Sequence, residues 1–231
     1  MSLTRLLRPL KTRLLGEGAR PRRIRFGAAR GLVMQIDPSG KTQRILGLDE
    51  REIQPTFVAF ARWAEVLVDI GASDGYYSLI FHRHNPRGAI HLIDANPVFA
   101  PEQRAHFAAN FPGPLENIQH HTRFVAPPGP AIDPGKLVLS RDLPLRKKKV
   151  LFKIDVDGWE LDILRSAEAL LPETECRFLI ETHSVELERD CQAFLEARGF
   201  AVTIIPNAWW RLFVPECRPI PHNRWLSAVR R

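Results

Sequence analysis

Val- and Ile-rich runs that alternate with helical patterns constrain the fold of this chain more than any other feature. They cover residues 66–70 (VLVDI), 89–93 (AIHLI), 150–156 (VLFKIDV) and 177–181 (RFLIE). Strands that alternate with helices need right-handed crossovers and form a mostly parallel sheet. Residues 200–205 and 224–229 are two further apolar runs with only an irregular loop between them. The sequence therefore predicts an α/β, doubly wound fold that ends in an antiparallel hairpin.

The part of the chain before residue 65 has a different pattern. Residues 23–48 alternate loosely and carry Gly31 and Pro38-Ser39-Gly40 between apolar runs, which predicts a small β-hairpin. Residues 51–63 place apolar side chains on one helical face. We therefore divide the chain into a basic arm (1–22), a hairpin with a helix (23–64) and a main domain (65–231).

Basic residues are concentrated in the first 30 positions. This segment holds nine Lys or Arg and one acid, whereas the remainder holds 24 basic and 25 acidic residues. A nearly neutral body argues against a nucleic-acid partner, because such proteins carry basic residues on the folded surface. Leucines recur at helical spacing in the arm (Leu3, Leu6, Leu7, Leu10 and Leu14). The segment 1–30 thus fits peripheral contact with an anionic membrane or a solvated basic tail. A transit peptide is a minor third alternative, because the segment is rich in Arg and poor in acids but has little Ser.

Cysteine spacing and hydrophobicity bear on the compartment. The three cysteines lie far apart without a CxxC pattern, which fits a reducing compartment better than a disulfide framework. No apolar run approaches the about 20 residues that span a bilayer. We expect a cytoplasmic protein, with the inner membrane surface as the alternative that the arm allows.

The turn after the first Val-rich run carries the strongest functional signal. Residues 69–75 (DIGASDG) lie at the carboxyl end of a strand, where doubly wound sheets bind ligands. Gly71 and Gly75 permit positive φ and close backbone approach. The spacing does not match the G-x-G-x-x-G dinucleotide motif, and Asp69 and Asp74 are poor neighbours for phosphates. The turn therefore favours a cationic, amine-bearing ligand such as S-adenosylmethionine over a nicotinamide cofactor.

Asp94 supports the same interpretation from the next strand. It lies in the segment LIDANP (92–97), directly after the apolar run 89–93 and 19 residues after Gly75. An acid at this position can accept hydrogen bonds from both ribose hydroxyls of a bound cofactor. The alternative is a helix-capping role ahead of Pro97, for which Asn96 is also suited.

Four motifs occur in the order and spacing of a known family. VDIGASDGYYSL, LIDANP, KIDVDGWELDILRSA (153–167) and FLIETH (178–183) resemble FkbM-type methyltransferases. The resemblance covers about residues 40–205 and includes GLDEREIQP (47–55), which looks like the Gly-x-x-Glu lead-in of that family. It departs at Ser73-Asp74, at Asp94-Ala95, and at Asp157, where the family has Glu.

The resemblance implies a Rossmann-like class I methyltransferase fold with a seven-stranded sheet. It also implies S-adenosylmethionine as the cofactor and, as the typical acceptor, a hydroxyl on a glycan, glycolipid or secondary metabolite. From the motifs and the turn together, we assign cofactor binding to Glu50, Asp69, Gly71, Ser73, Asp74, Gly75, Asp94 and Ala95.

Candidate catalytic residues lie at the ends of two later strands. Asp155 and Asp157 are two apart and share a strand face, and His183 follows the next strand. These side chains could remove a hydroxyl proton or hold a divalent metal such as Mg²⁺. Lys153 joins them as a catalytic candidate. The alternatives are helix capping for Asp157, a salt bridge for Lys153 and a loop position for His183.

Two rival functions remain open at this point. One is a non-catalytic binding module on the same fold, and the other is a nicotinamide-dependent oxidoreductase, which the absent G-x-G-x-x-G disfavours. Trp209-Trp210 fall in the late loop, where they could stack on a sugar or pack against the fold.

Overall fold

A seven-stranded sheet forms the centre of the molecule. The computed structural model describes residues 16, 18–129, 133–208, 211 and 222–230. The described strands are β1 (Arg20–Arg23), β2 (Val33–Ile36), β3 (Val66–Ile70), β4 (Ala89–Ile93), β5 (Ile118–His121), β6 (Phe124–Val125), β7 (Lys136–Leu137), β8 (Lys149–Ile154), β9 (Glu175–Thr182), β10 (Phe200–Ile205) and β11 (Arg224–Arg230). The described helices are α1 (Pro38–Leu46), α2 (Gln54–Trp63), α3 (Tyr76–His84), α4 (Phe99–Asn110), α5 (Leu139–Asp142), α6 (Glu160–Ala167) and α7 (Val185–Glu196).

The strand order of the central sheet is β10-β11-β9-β8-β3-β4-β5. Neighbouring strands pair in parallel, except that β11 pairs antiparallel with both β10 and β9. The sheet and its terminal antiparallel hairpin confirm the predicted fold class. The order reverses between β3 and β8, which places the turns after these two strands at the switch point where such sheets bind ligands.

Two apolar cores cover the two faces of this sheet. Val68 and Ile70 of β3 belong to the core that includes α6 and α7, whereas Leu67 belongs to the core that includes α2 and α3. Successive side chains of a strand point to opposite faces, so a strand covered on both sides needs apolar residues throughout. This is why β3 is a continuous apolar run that only Asp69 interrupts.

The N-terminal segment differs in detail from its predicted boundaries. The predicted hairpin is present, since β1 and β2 pair antiparallel, but β1 begins at Arg20, inside the segment that we assigned to the arm. Residues 38–46 form a helix, although the sequence predicted a hairpin there. The Asp37 side chain accepts a hydrogen bond from the Ser39 amide and Pro38 occupies the first turn, so the Pro-Ser-Gly sequence starts a helix instead of a turn.

Two sequence features fall outside the described residues, namely the leucines of the arm and the Trp209-Trp210 pair. Among the described helices, none combines the length and the hydrophobicity that crossing a bilayer requires.

Candidate functional site

A cavity of about 1000 Å³ opens at the carboxyl ends of β3, β4, β8 and β9. The turns after these strands and the segment between α1 and α2 form its walls. Among the predicted site residues, those that line it are Glu50, Gly71, Ser73, Asp94, Ala95, Asp155 and Asp157. The cavity therefore lies at the edge of the sheet where the carboxyl-end rule predicts a ligand site.

Gly71 allows two strand ends to approach each other closely. Its φ is +71°, and a Cβ atom built on it would lie 1.8 Å from the carbonyl oxygen of Asp155. A glycine is therefore required both by the backbone conformation and by the contact with the end of β8. Gly75, with a φ of +83°, begins α3 and does not line the cavity.

Asp94 fixes the turn after β3 and also lines the cavity. Its Oδ2 atom accepts a hydrogen bond from the Ser73 amide at 2.9 Å, and its Oδ1 atom accepts one from the Asn96 amide at 2.9 Å. Ser73 has a φ of +47°, which these contacts help to hold. Because a carboxylate has about four acceptor positions, Asp94 can still accept bonds from a ligand.

Asp69 and Asp74 lie beneath the turn and do not line the cavity. Asp69 accepts a hydrogen bond from the Ser78 hydroxyl at 2.7 Å. Asp74 pairs with Arg44 and with Lys41, whose Nζ atom lies 2.8 Å away. Burial raises the pKa of Asp74, but Arg44 and Lys41 outweigh it and hold that pKa far below the usual range. Through these contacts, the two acids hold the turn after β3 against α3 and α1.

Lys153 forms salt bridges, which was the alternative to a catalytic role for this residue. Its buried Nζ atom lies 3.2 Å from Asp155 Oδ2, 3.6 Å from Asp69 Oδ1 and 3.3 Å from the Gly71 carbonyl oxygen. Burial lowers the Lys153 pKa, but Asp155 and Asp69 outweigh it and raise the pKa above its usual value. Lys153 therefore carries a proton at neutral pH and neutralises the floor of the cavity.

His183 lies among carboxylates. Its Nδ1 atom is 2.6 Å from Glu160 Oε1, and its Nε2 atom is 3.3 Å from Asp157 Oδ1 and 3.7 Å from Asp155 Oδ1. Burial lowers the His183 pKa, but the hydrogen bond to Glu160 and the charge of Asp155 outweigh it and raise the pKa. At neutral pH the ring therefore holds its proton more firmly than a free imidazole does.

Glu160 was missed from the sequence. It is fully buried on α6, on the face that it shares with Ile163, Leu164 and Ala167. The sequence did contain a signal, since Glu160 occupies a position of the helical pattern that is otherwise apolar. A buried acid needs a polar partner, so this position indicates a contact with another polar residue. That partner is His183.

Two glutamates at the cavity have raised pKa values. Burial, Asp155 and Glu50 raise the pKa of Glu181 to about 11, so its carboxyl group is protonated and hydrogen-bonds to Asp155. Burial and the charges of Asp49 and Asp155 raise the pKa of Glu50 to about 7. The charge of Lys153 and a hydrogen bond with Tyr77 lower the pKa of Glu50, but they do not outweigh these effects.

The suggested metal does not fit these residues. Ligand atoms of Asp155, Glu181 and His183 lie within 4.8 Å of one another. However, the Lys153 ammonium already pairs with Asp155, Glu181 is protonated and His183 tends to be charged. A divalent cation would have to displace these positive charges and protons, so we derive no step through a metal.

The outer part of the cavity has features that the sequence did not single out. Trp159 and Phe124 line it with exposed side chains, at 59% and 66% of their full accessible surface. Arg123 and Lys136 lie on the same side as Phe124. This outer part combines aromatic surface with charge, which suits a ligand that has both flat and polar parts.

A comparison with protein families matches residues 139–202 to the methyltransferase FkbM domain. None of the curated proteins matches the chain. The matched segment contains β8, α6, β9 and α7, and therefore the elements that carry Asp155, Asp157 and His183.

Solved structures share the fold at low sequence identity. An FkbM methyltransferase from Methylobacillus flagellatus KT has a TM-score of 0.54 and 16% identity, over 71% of this chain and 43% of that one. A precorrin-6y C5,15-methyltransferase from Geobacter metallireducens GS-15 has a TM-score of 0.53 and 14% identity, over 78% and 88% of the two chains. An O-methyltransferase from Bacillus cereus in complex with SAH has a TM-score of 0.52 and 11% identity, over 77% and 81%.

These similarities establish the fold, and the match over residues 139–202 is to a methyltransferase domain. The strand order, the ligand-binding edge and the matched segment agree with one another. The chain has the class I Rossmann-like methyltransferase fold, and its residues 139–202 are similar to the methyltransferase FkbM domain, the family that its motifs resemble.

Proposed function

We propose that this protein is an S-adenosylmethionine-dependent methyltransferase that methylates a hydroxyl oxygen of a small-molecule or glycan acceptor. The observation that carries the proposal is the cavity at the switch point of the sheet, with Asp94 on one wall and a set of carboxyl groups on another. A cofactor with ribose hydroxyls and positive charges matches this set of groups. The choice of oxygen as the methylated atom rests on the family resemblance.

Several observations support binding of the cofactor. Asp94 keeps acceptor capacity after accepting hydrogen bonds from two backbone amides. Asp94 and Ala95 both line the cavity, and we expect them to hold the ribose. Glu50 also lines the cavity, on the segment between α1 and α2. Once bound, S-adenosylmethionine supplies an electrophilic methyl group.

The residues of this chain then have two tasks. They must align an acceptor oxygen with the methyl group, and this alignment alone supplies much of the rate enhancement. They must also receive the proton that the hydroxyl group loses. Asp155 and Asp157 follow β8 and line the cavity, and we expect an acceptor that enters the cavity to meet them. Lys153 keeps Asp155 ionised and fixed in position, because it holds the Asp155 pKa below its usual value.

Calorimetry and a transfer assay test this function. S-adenosylhomocysteine should bind to the purified protein, and NAD should not, because the turn lacks the dinucleotide motif. Transfer of a labelled methyl group should then be measured on a panel of methyl glycosides and hydroxylated small molecules. Binding of NAD in place of S-adenosylhomocysteine would contradict the proposal, and cofactor binding without turnover on any acceptor would favour a binding module.

A further inference from the structure

We infer that Trp159 is the residue on which the acceptor stacks, and that the acceptor presents the apolar face of an uncharged sugar ring to it. The inference rests on the proposed function and narrows its substrate class. Trp159 lines the cavity and keeps 59% of its accessible surface. Among the described large apolar side chains that are exposed, only Trp159 and Phe124 line the cavity.

The segment that carries Trp159 distinguishes it from Phe124. Phe124 lies on β6, which pairs with β7 in a separate two-stranded sheet. Trp159 instead belongs to the segment that leaves β8 and carries Asp155 and Asp157, and it lies two residues after Asp157. A ligand on the Trp159 ring would therefore be next to the carboxylates that we expect an acceptor to meet.

The backbone of Trp159 is fixed, although its ring is exposed. Its carbonyl oxygen accepts a hydrogen bond from the Ile163 amide at 3.1 Å, which belongs to the first turn of α6. Ile163 and Leu164 of this helix are buried in the core. A residue at the start of a packed helix can hold a flat ring at a cavity wall, and such preorganisation lowers the entropic cost of binding.

The polar groups next to Trp159 favour hydroxyl groups over anions. Asp157 and Asp162 line the cavity on either side of Trp159 along the chain. Asp162 also pairs with Arg165 at 3.0 Å, on the exposed surface of α6. Carboxylate oxygens accept hydrogen bonds from several hydroxyl groups at once, whereas they repel a phosphate or a carboxylate.

A pyranose ring matches this combination of groups. One of its faces consists of C–H groups, whose partly positive hydrogens fit the negative face of an indole ring. Its hydroxyl groups lie around the rim, where they can donate to Asp157 and Asp162. A flat aromatic acceptor would also stack, but it has few hydroxyl groups to offer to two carboxylates. One of the hydroxyl groups of the stacked sugar would then receive the methyl group.

Fluorine NMR of protein labelled with 5-fluorotryptophan tests the contact without turnover. The Trp159 resonance is assigned by its loss in Trp159→Phe. With S-adenosylhomocysteine bound, methyl glycosides of glucose, galactose and mannose are titrated, and at least one should shift this resonance saturably. The resonance of Trp63 should stay in place, because Trp63 lies on α2 and does not line the cavity. If none of the three glycosides shifts the Trp159 resonance, the inference is overturned.

Three comparison ligands test the class of acceptor. Glucose 6-phosphate reports recognition of an anion through Arg123 and Lys136, which line the cavity beside Phe124. Tetramethylammonium reports a cation held on the indole face. Phenol reports a flat aromatic ring. Each should bind at Trp159 more weakly than the best glycoside, and tighter binding of any of them would overturn the assignment of an uncharged sugar.

Variants of Trp159 separate stacking from general apolar contact. Trp159→Ala should weaken the glycoside about tenfold in saturation-transfer NMR, because the ring face is lost. Trp159→Phe keeps a ring face and should retain most of the affinity, whereas Trp159→Leu should resemble Trp159→Ala. Phe26→Ala removes an aromatic side chain of equal exposure that does not line the cavity, and it should bind the glycoside like wild type. Unchanged affinity in Trp159→Ala, or equal affinities of the Phe and Leu variants, would contradict stacking.

Cofactor affinity distinguishes the possible failures. All Trp159 variants should bind S-adenosylhomocysteine within about threefold of wild type. A loss of about tenfold or more in Trp159→Ala would place the ring on the cofactor and overturn the inference. A wild type that does not bind S-adenosylhomocysteine would instead contradict the proposed function. Where a glycoside is methylated, Trp159→Ala should raise the KM for the glycoside about tenfold and leave the KM for S-adenosylmethionine nearly unchanged.

Discussion

At the scale of single residues, Asp94 has a structural role, and we propose that it also binds the cofactor. Asp94→Ala removes hydrogen bonds that a charged acceptor makes to the cofactor, each worth about 1.5–3 kcal/mol. Affinity for S-adenosylhomocysteine should therefore fall about tenfold or more in calorimetry. Asp94→Asn, which keeps one acceptor oxygen, should lose less. Unchanged affinity in Asp94→Ala would leave only its contacts with the Ser73 and Asn96 amides.

Gly71 and Gly158 form a matched pair that separates backbone strain from steric contact. Both have positive φ, but a Cβ at Gly158 would meet nothing within 4 Å, whereas one at Gly71 would meet the Asp155 carbonyl. Gly158→Ala should lower the free energy of unfolding by about 1–2 kcal/mol. Gly71→Ala should lower it by more, above about 4 kcal/mol. Urea unfolding measures both, and equal losses would show that the close approach is not needed.

The residues also show which roles the sequence can predict. The turn chemistry correctly located Gly71, Ser73 and Asp94 at the cavity, because strand ends and glycines are readable from local patterns. Asp69 and Asp74 looked equally suited to contact a ligand. Their side chains instead pair with basic residues from β8 and α1, and such long-range partners cannot be inferred from spacing.

At the scale of elements, β4 and β5 are joined by a pair of histidines. His91 Nδ1 lies 3.1 Å from His121 Nε2. Burial, His121 and Lys148 lower the pKa of His91 to about 4, against about 6.5 in an unfolded chain. Between these values the unfolded chain binds more protons, so the free energy of unfolding should decrease as the pH falls from 6.5 to 4. His120, with its pKa lowered to about 4 by burial and Arg104, adds to this effect.

Urea unfolding at pH 7 and pH 5 tests the prediction. His91→Gln keeps hydrogen-bonding capacity without titrating in this range, so it should reduce the loss of stability between the two pH values. His183 acts in the opposite direction: its raised pKa stabilises the fold below pH 6.5, and this contribution is lost as the pH rises through the folded-state pKa. An identical pH dependence in wild type and His91→Gln would contradict the assignment.

Elements were predicted well where packing and local signals agree. The four Val- and Ile-rich runs correspond to β3, β4, β8 and β9, because a sheet that is covered on both faces needs continuously apolar strands. Helix α1 was missed because Pro38-Ser39-Gly40 matches both a turn and a helix start, and the Asp37 side chain decides between them. Its placement matters for function, since Arg44 and Lys41 of α1 pair with Asp74 beneath the cofactor turn.

At the scale of the whole molecule, basic charge and an exposed aromatic residue lie together near the N-terminal hairpin. Arg20, Arg23, Arg25 and Arg30 are exposed, and Phe26 keeps 58% of its accessible surface. Contact with an anionic membrane through residues 1–30 stays a prediction. An interfacial surface of this kind combines electrostatic attraction, about 1 kcal/mol for each basic residue near the lipid, with insertion of an apolar side chain.

Vesicle sedimentation can separate the contribution of the hairpin from that of the arm. The full chain should sediment with vesicles that contain phosphatidylserine, and not with pure phosphatidylcholine, because cationic surfaces need anionic lipid. Removal of residues 2–15 and the double variant Arg25→Gln/Phe26→Ser should each weaken sedimentation, and their combination should abolish it. Each variant should still bind S-adenosylhomocysteine like wild type, and neither Arg25 nor Phe26 lines the cavity. Binding should also weaken as salt is raised, because screening shortens the range of the attraction. A full chain that ignores phosphatidylserine vesicles at physiological salt would identify the basic segment as a solvated tail.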